Sequence, residues 1–255
     1  MRTGNWQRLL LLCLLLLSGN ATAVNVAAAA DLKFALSEIA ASYEREHGGR
    51  IILAFGSSGH FARQIPQGAP YELFLSADEE YIFQLARQGL LRDEGRLYAI
   101  GRLALLLPRG SPLAADGELR GLASALGAGK LQRLAIANPE HAPYGRAARA
   151  ALERAGLWQP LQGRLVFGEN VAQAAQFALS GSAQGGIVAW SLARSPELAR
   201  RSVAALIPAD WHPPLRQRMV LTQRAGAEAR RFYEYLQQPS ARAVFERHGF
   251  ALPDD

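Results

Sequence analysis

The chain has 255 residues, 28 Lys+Arg against 22 Asp+Glu, 49% hydrophobic residues, 8% aromatics and a single cysteine. That composition excludes collagen-like, disulfide-scaffold and charge-driven disordered classes, and the length suffices for one large core or two smaller ones. The net charge of +6 comes from dispersed arginines such as Arg133, Arg146, Arg149, Arg154 and Arg164, with no basic block and no interleaved aromatics, so no nucleic-acid partner is expected.

At the start, Arg2 and Arg8 precede the uncharged run Leu9 to Leu17, and Ala21-Thr22-Ala23 offers small residues at signal-peptidase spacing. Residues 1–23 therefore read as a cleaved secretory signal, which would remove Cys13 and deliver a thiol-free chain to the periplasm. A lipoprotein reading of Cys13 is disfavoured by Leu12 before it and the leucines after it. No later apolar run is long enough to span a bilayer.

Short apolar runs then alternate with amphipathic ones, the pattern of βαβ units and largely parallel sheets. Val26 to Ala30 is predicted as a strand, and Leu32 to His47 as a helix with Leu32, Leu36, Ile39 and Tyr43 at helical spacing and Gly48-Gly49 as its stop. Ile51 to Phe55 is a strand leading into Gly56-Ser57-Ser58-Gly59 and a short helical turn to Ile65. Leu73 to Leu75 is a third strand, and Ser76 to Glu79 has the form of a capping box before a helix from Glu80 to Gln88. Strands follow at Arg102 to Leu107 and Leu134 to Ala137, then a loop to Gly145 and a helix through Ala155. Leu165 to Phe167 leads into a helix from Ala172 to Leu179. Further strands are predicted at Ile187 to Trp190, Val203 to Ile207 and Met219 to Thr222, with Trp211 to Pro214 as a connector. Two helices, Ala227 to Gln237 and Ser240 to Arg247, close the chain.

The chemistry concentrates at the strand-to-helix junctions. The first N–H groups of a helix have no intrahelical partner, and the helix dipole adds partial positive charge there, which makes an anion site without cations. Gly56-Ser57-Ser58-Gly59 suits such a cradle and equally suits an ordinary N-cap turn. A hydrolase using Ser58 with His60 is the competing class, but there is no G-x-S-x-G elbow and the two residues are too close in sequence to pair across a helical turn. The histidines at 47, 60, 141, 212 and 248 form no H-x-x-x-H pair, so sequence spacing gives no metal motif.

Several blocks together carry a resemblance. Ala27-Ala28-Ala29-Ala30-Asp31-Leu32, Phe55-Gly56-Ser57-Ser58-Gly59 followed by Ala62-Arg63-Gln64-Ile65, and Gly68-Ala69-Pro70 with Leu73-Phe74-Leu75-Ser76-Ala77-Asp78 resemble the periplasmic molybdate-binding proteins of ABC transporters, the ModA family. Asn138 to Gly145, Gly186-Ile187-Val188 and Tyr233-Glu234-Tyr235-Leu236 continue the likeness over essentially the whole mature chain.

The resemblance implies an α/β, two-lobed periplasmic binding protein of type 2-like fold, each lobe a mostly parallel sheet flanked by helices, with the ligand in the interlobe cleft. Residues 24–103 and 218–255 are expected in lobe 1 and 104–217 in lobe 2, with crossings near Leu103 to Leu106 and Arg218 to Leu221. It implies a non-enzymatic, monomeric protein without a cofactor that captures molybdate, and also tungstate, for an ABC permease. The same scaffold tuned to sulfate is the alternative. The family's ligand contacts fall on Ala30, Asp31, Ser58, Tyr144 and Val171, holding molybdenum through its oxo groups with no protein atom on the metal. Val171 would donate its backbone N–H, and Tyr144 either its backbone N–H or its phenol.

Two residues depart from the family pattern. Asp31 stands where many relatives carry Ser, Thr or Asn, and an ionised carboxylate accepts hydrogen bonds without donating them. Capping its own helix would give that carboxylate another role. Ala189 follows Gly-Ile-Val where one branch has a ligand-contacting tyrosine, so Tyr144 is expected to take that part.

Overall fold

The computed structural model describes residues 23–253. Of the expected signal sequence, residues 1–22, Cys13 included, lie outside the described residues.

The first βα unit runs β1 (Ala23–Ala29), a 3-10 turn (Ala30–Leu32) and α1 (Lys33–His47). The helix buries Ala35, Leu36, Ile39, Ala40 and Tyr43, a single stripe at i, i+3, i+4 spacing, and ends where Gly48 turns to φ +70°. Next come β2 (Arg50–Gly56), α2 (Ser58–Gln64), β3 (Leu73–Ser76), α3 (Glu79–Arg87) and β4 (Arg96–Gly101). The second half contributes β5 (Leu103–Pro108), α4 (Arg120–Gly127), β6 (Leu134–Ala137), α5 (Pro143–Arg154), β7 (Leu165–Gly168), α6 (Val171–Leu179), β8 (Gly186–Ala189), α7 (Trp190–Ala193), α8 (Pro196–Ala199) and β9 (Ser202–Leu206). The chain returns through β10 (Leu215–Leu221) and closes with α9 (Ala227–Tyr235) and α10 (Pro239–Arg247).

These strands form two five-stranded sheets, β2-β1-β3-β10-β4 and β7-β6-β8-β5-β9. In the first, β1 pairs parallel with β2 and β3, and β10 runs antiparallel between β3 and β4. In the second, β6 pairs parallel with β7 and β8, and β5 runs antiparallel between β8 and β9. Each lobe is thus a mixed sheet flanked by helices, with one reversed strand, and that reversed strand is the one that has just arrived from the other lobe.

The chain passes from the first sheet to the second at Arg102, and back between Ile207 and Pro214. Leu103 to Leu106 and Arg218 to Leu221, expected as the crossings, lie inside β5 and β10. Alternation of apolar residues identifies a strand but not the sheet it joins, so the expected crossings fall on the neighbouring apolar runs. The capping box also differs: Asp78, not Ser76, is the N-cap of α3, accepting from Glu80 N–H at 3.0 Å, while Ser76 Oγ donates to the carbonyl of Asp78. Among the described residues no helix is long and apolar enough to cross a membrane.

Candidate functional site

The C-terminal ends of the parallel strands in both sheets face one another, which is where open α/β sheets place their ligands. The 3-10 turn after β1 and the N-termini of α2, α5 and α6 border a small cleft. Its wall includes Ala30, Asp31, Ser57, Ser58, Ala77, Tyr144, Asn170 and Val171. All five residues singled out in the sequence therefore meet in one place, three from the first lobe and two from the second. The cleft is closed: Asp31, Ser58 and Tyr144 are 1%, 0% and 2% exposed.

Local chemistry leaves donors directed at this space. Asn170 caps α6 by accepting from Ala172 and Gln173 N–H at 3.0 and 3.1 Å, which passes over the N–H of Val171. At α2, Ser57 Oγ caps His60 N–H and Gly59 N–H reaches the carbonyl of His141, which passes over Ser58 N–H. Pro143 at the first turn of α5 has no N–H, so Tyr144 supplies the leading donor. Among the described residues no protein acceptor meets the N–H of Ala30, Ser58, Tyr144 or Val171. Ser58 Oγ accepts from Ala77 N–H at 2.9 Å, which orients the hydroxyl and leaves its proton for another acceptor. Gly145 lets α5 begin this close to β6, because a Cβ there would sit 2.7 Å from the backbone carbon of Asn138.

The wall contains no lysine or arginine. Its one carboxylate is Asp31, whose Oδ2 accepts from Tyr144 Oη at 3.0 Å and from Gln217 Nε2 at 2.5 Å. Gln217 Oε1 in turn accepts from Tyr98 Oη at 2.8 Å. The other oxygen, Oδ1, is buried and has no partner among the described residues. Burial pushes the Asp31 carboxyl up to about 6, against the opposing pull of the bonds from Gln217 and Tyr144. Burial and the neighbouring Asp31 together hold the Tyr144 phenol well above its ordinary value.

Asp31 does not cap a helix: neither the 3-10 turn nor α1 has a side-chain cap. The Tyr144 phenol donates to Asp31, and the Tyr144 backbone N–H meets no protein acceptor among the described residues. Ser58 and His60 form no hydrogen bond; the serine–histidine contact is instead Ser57 Oγ to His141 Nδ1 at 3.1 Å. Sequence reasoning missed Gln217 and Tyr98, which lie on β10 and β4: Gln217 falls before the expected strand from Met219 to Thr222, and β4 itself was not predicted.

The lobes are clasped around the cleft. Tyr144 to Asp31, Ser191 Oγ to the carbonyl of Asp31 at 2.9 Å, and Gly59 N–H to the carbonyl of His141 at 3.1 Å all cross between them. Arg146 on α5 adds contacts to Tyr81 Oη at 3.0 Å and to Asp78.

Residues 24–251 match the family model described as bacterial extracellular solute-binding protein. The molybdate-binding protein ModA of Azotobacter vinelandii is 33% identical over 242 residues, 94% of either chain. That of Escherichia coli is 32% identical over 244 residues, 92% of this chain and 93% of the relative. Among solved structures, the periplasmic molybdate-binding protein of A. vinelandii superposes with a TM-score of 0.81 at 29% identity, covering 91% of this chain and all of that one.

Proposed function

Because this chain belongs to the bacterial extracellular solute-binding proteins, and within them to the ModA-type molybdate-binding group, we propose that it captures molybdate in the closed cleft and delivers it to an ABC permease. The reading rests on one observation above the others: uncharged donors from both lobes converge on an enclosed space without a cation in its wall. The contacts proposed are the N–H groups of Ala30, Ser58, Tyr144 and Val171 and the Ser58 hydroxyl, with Asp31 beside them. Tungstate, of the same charge and shape, should bind almost alike. The protein acts as a monomer in the periplasm after removal of its signal sequence, and performs no chemistry on its cargo.

Fixed N–H dipoles in an enclosed cleft stabilise a dianion without reorganising when it arrives. Size sorts the oxyanions, since sulfate is smaller and the same donors cannot all close to ~2.9 Å around it. Proton content sorts phosphate, whose O–H needs an acceptor and is left unsatisfied among donors at a cost of roughly 1–3 kcal/mol. Asp31 is the exception in that wall, and in its protonated form it too becomes a donor. Closure follows the hinge motion of periplasmic binding proteins, a general class of transition, and the closed form is what a permease would read.

A calorimetric titration of the mature protein with molybdate, tungstate, sulfate and phosphate tests the proposal. Molybdate and tungstate should bind within a few-fold of one another, and sulfate and phosphate at least ~100-fold more weakly. Phosphate binding best would make Asp31 a proton acceptor and end the molybdate reading; sulfate binding best would favour the alternative. In the same assay Ser58→Ala should cost about 1–2 kcal/mol, the scale of one hydrogen bond to a charged group. Unchanged affinity would remove Ser58 from the site.

A further inference from the structure

Beside the oxyanion cleft, three metal-ligating side chains meet at the seam between the lobes. His60 comes from α2 of the first lobe, His141 from the loop after β6 and Glu169 from the turn between β7 and α6 of the second. The Nε2 atoms of His60 and His141 lie 3.6 and 3.7 Å from the same oxygen of Glu169, and the three ligand atoms all fall within 4.8 Å of one another. We propose that His60, His141 and Glu169 form a zinc-type divalent metal site that bridges the two lobes at the edge of the closed cleft.

Three ligand atoms at 2.0–2.2 Å around a tetrahedral zinc stand about 3.4 Å apart, so the two nitrogen–oxygen separations need to close by only a few tenths of an ångström. His141 is already oriented as a ligand. Its Nδ1 faces Ser57 Oγ at 3.1 Å, and donating that proton to the hydroxyl leaves the Nε2 lone pair on the side of Glu169. Ligating histidines generally anchor their second nitrogen in this way. His60 is stacked on His141 with ring centroids 4.1 Å apart and planes 23° apart. Its ring must swing out of the stack for its in-plane lone pair to meet the same point. It is the half-exposed ring of the two, so that swing disturbs no core packing. Two imidazoles and one carboxylate make a borderline-soft set suited to zinc, with water in the fourth position. Arg63 and Glu140, the other charges acting on His141, are of opposite sign.

Because one ligand comes from the first lobe and two from the second, a metal there favours the closed form. Metal and oxyanion must then tighten each other's binding by the same factor. This coupling rests on the molybdate reading; binding of the metal itself does not.

The test is a titration of the tag-free mature protein with Zn²⁺, and with Co²⁺ for its visible absorption, with and without saturating molybdate. One ion per chain should bind at micromolar concentration, and molybdate should raise the zinc affinity at least ~10-fold. His60→Ala and Glu169→Gln should each weaken zinc at least ~10-fold while leaving metal-free molybdate affinity unchanged. No stoichiometric zinc up to about 100 μM, or undiminished zinc affinity in both variants, would overturn the site. Zinc binding indifferent to molybdate would overturn the bridge. A molybdate titration in the presence of a chelator reports on the oxyanion reading separately, so the two failures are distinct.

Discussion

Gly59→Ala should weaken molybdate binding by about 100-fold, near 2.7 kcal/mol, while the ligand-free protein keeps its melting temperature to within a few degrees. Gly59 sits in α2 of the first lobe, and its N–H donates to the carbonyl of His141 in the second at 3.1 Å. A Cβ at this position would overlap that carbonyl oxygen, lie 3.1 Å from its carbon and come 2.7 Å from Tyr81 Oη. The tyrosine hydroxyl is the end of a movable side chain and can yield. The carbonyl belongs to the backbone of the opposite lobe, so the overlap is relieved by parting the lobes and not by unfolding either. The closed population falls, and apparent affinity falls with it in proportion. Calorimetry and thermal melts with and without ligand check both halves of the statement. Undiminished affinity would mean that binding does not need this closure, and a large fall in melting temperature without ligand would mean that Gly59 serves the fold of its own lobe.

A second large effect is expected at Asp31. Its carboxyl is raised from 3.8 to about 6, foremost by burial, and Oδ1 is left without a partner. Bringing a dianion beside an ionised, buried carboxylate is strongly repulsive. Binding should therefore draw in a proton, and wild-type affinity should fall by about tenfold per pH unit as pH rises above about 6. Asp31→Asn removes that dependence. Its amide oxygen can keep the bonds from Tyr144 and Gln217, and its NH₂ places a donor where Oδ1 stands. The variant should bind at least ~10-fold more tightly than wild type at pH 8, with a flat profile between pH 6 and 8.

The sign for stability follows from the same shift. A carboxyl whose folded value is raised contributes stability that is fully present below 3.8 and lost as pH rises through about 6. At pH 7 the asparagine variant should thus be more stable, by at most about 3 kcal/mol for a shift of this size. Denaturant melts at pH 4 and pH 7 check this. A pH-independent wild-type affinity, or an asparagine variant that binds more weakly at pH 8, would show that the carboxylate plays a positive part in the site.

Much of the architecture was legible because the alternation of apolar runs is strong. Leu134 to Ala137 matched β6 to the residue, and β2, β7 and α6 extended by only one or two. β4 was missed: Arg96 to Gly101 abuts β5 across a single residue, and no turn residues separate two strands that belong to different sheets. β10 begins at Leu215, four residues before its expected start, because Arg216, Gln217 and Arg218 interrupt the apolar pattern. Gln217 is nevertheless fully buried, since its amide is satisfied by Tyr98, Asp31 and Tyr144. The candidate cleft was visible because strand-to-helix junctions carry local signatures. The His60, His141 and Glu169 cluster was not, because its members are separated along the chain and come from both lobes.

The central claim is that uncharged donors from both lobes enclose the oxyanion, and the anomalous scattering of molybdenum in a crystal of the complex tests it most directly. The account predicts the metal peak between the two sheets, with its oxo atoms within about 3 Å of Ser58 Oγ and of the N–H groups of Ala30, Tyr144 and Val171. A peak elsewhere, or one ringed by arginine and lysine, would contradict it.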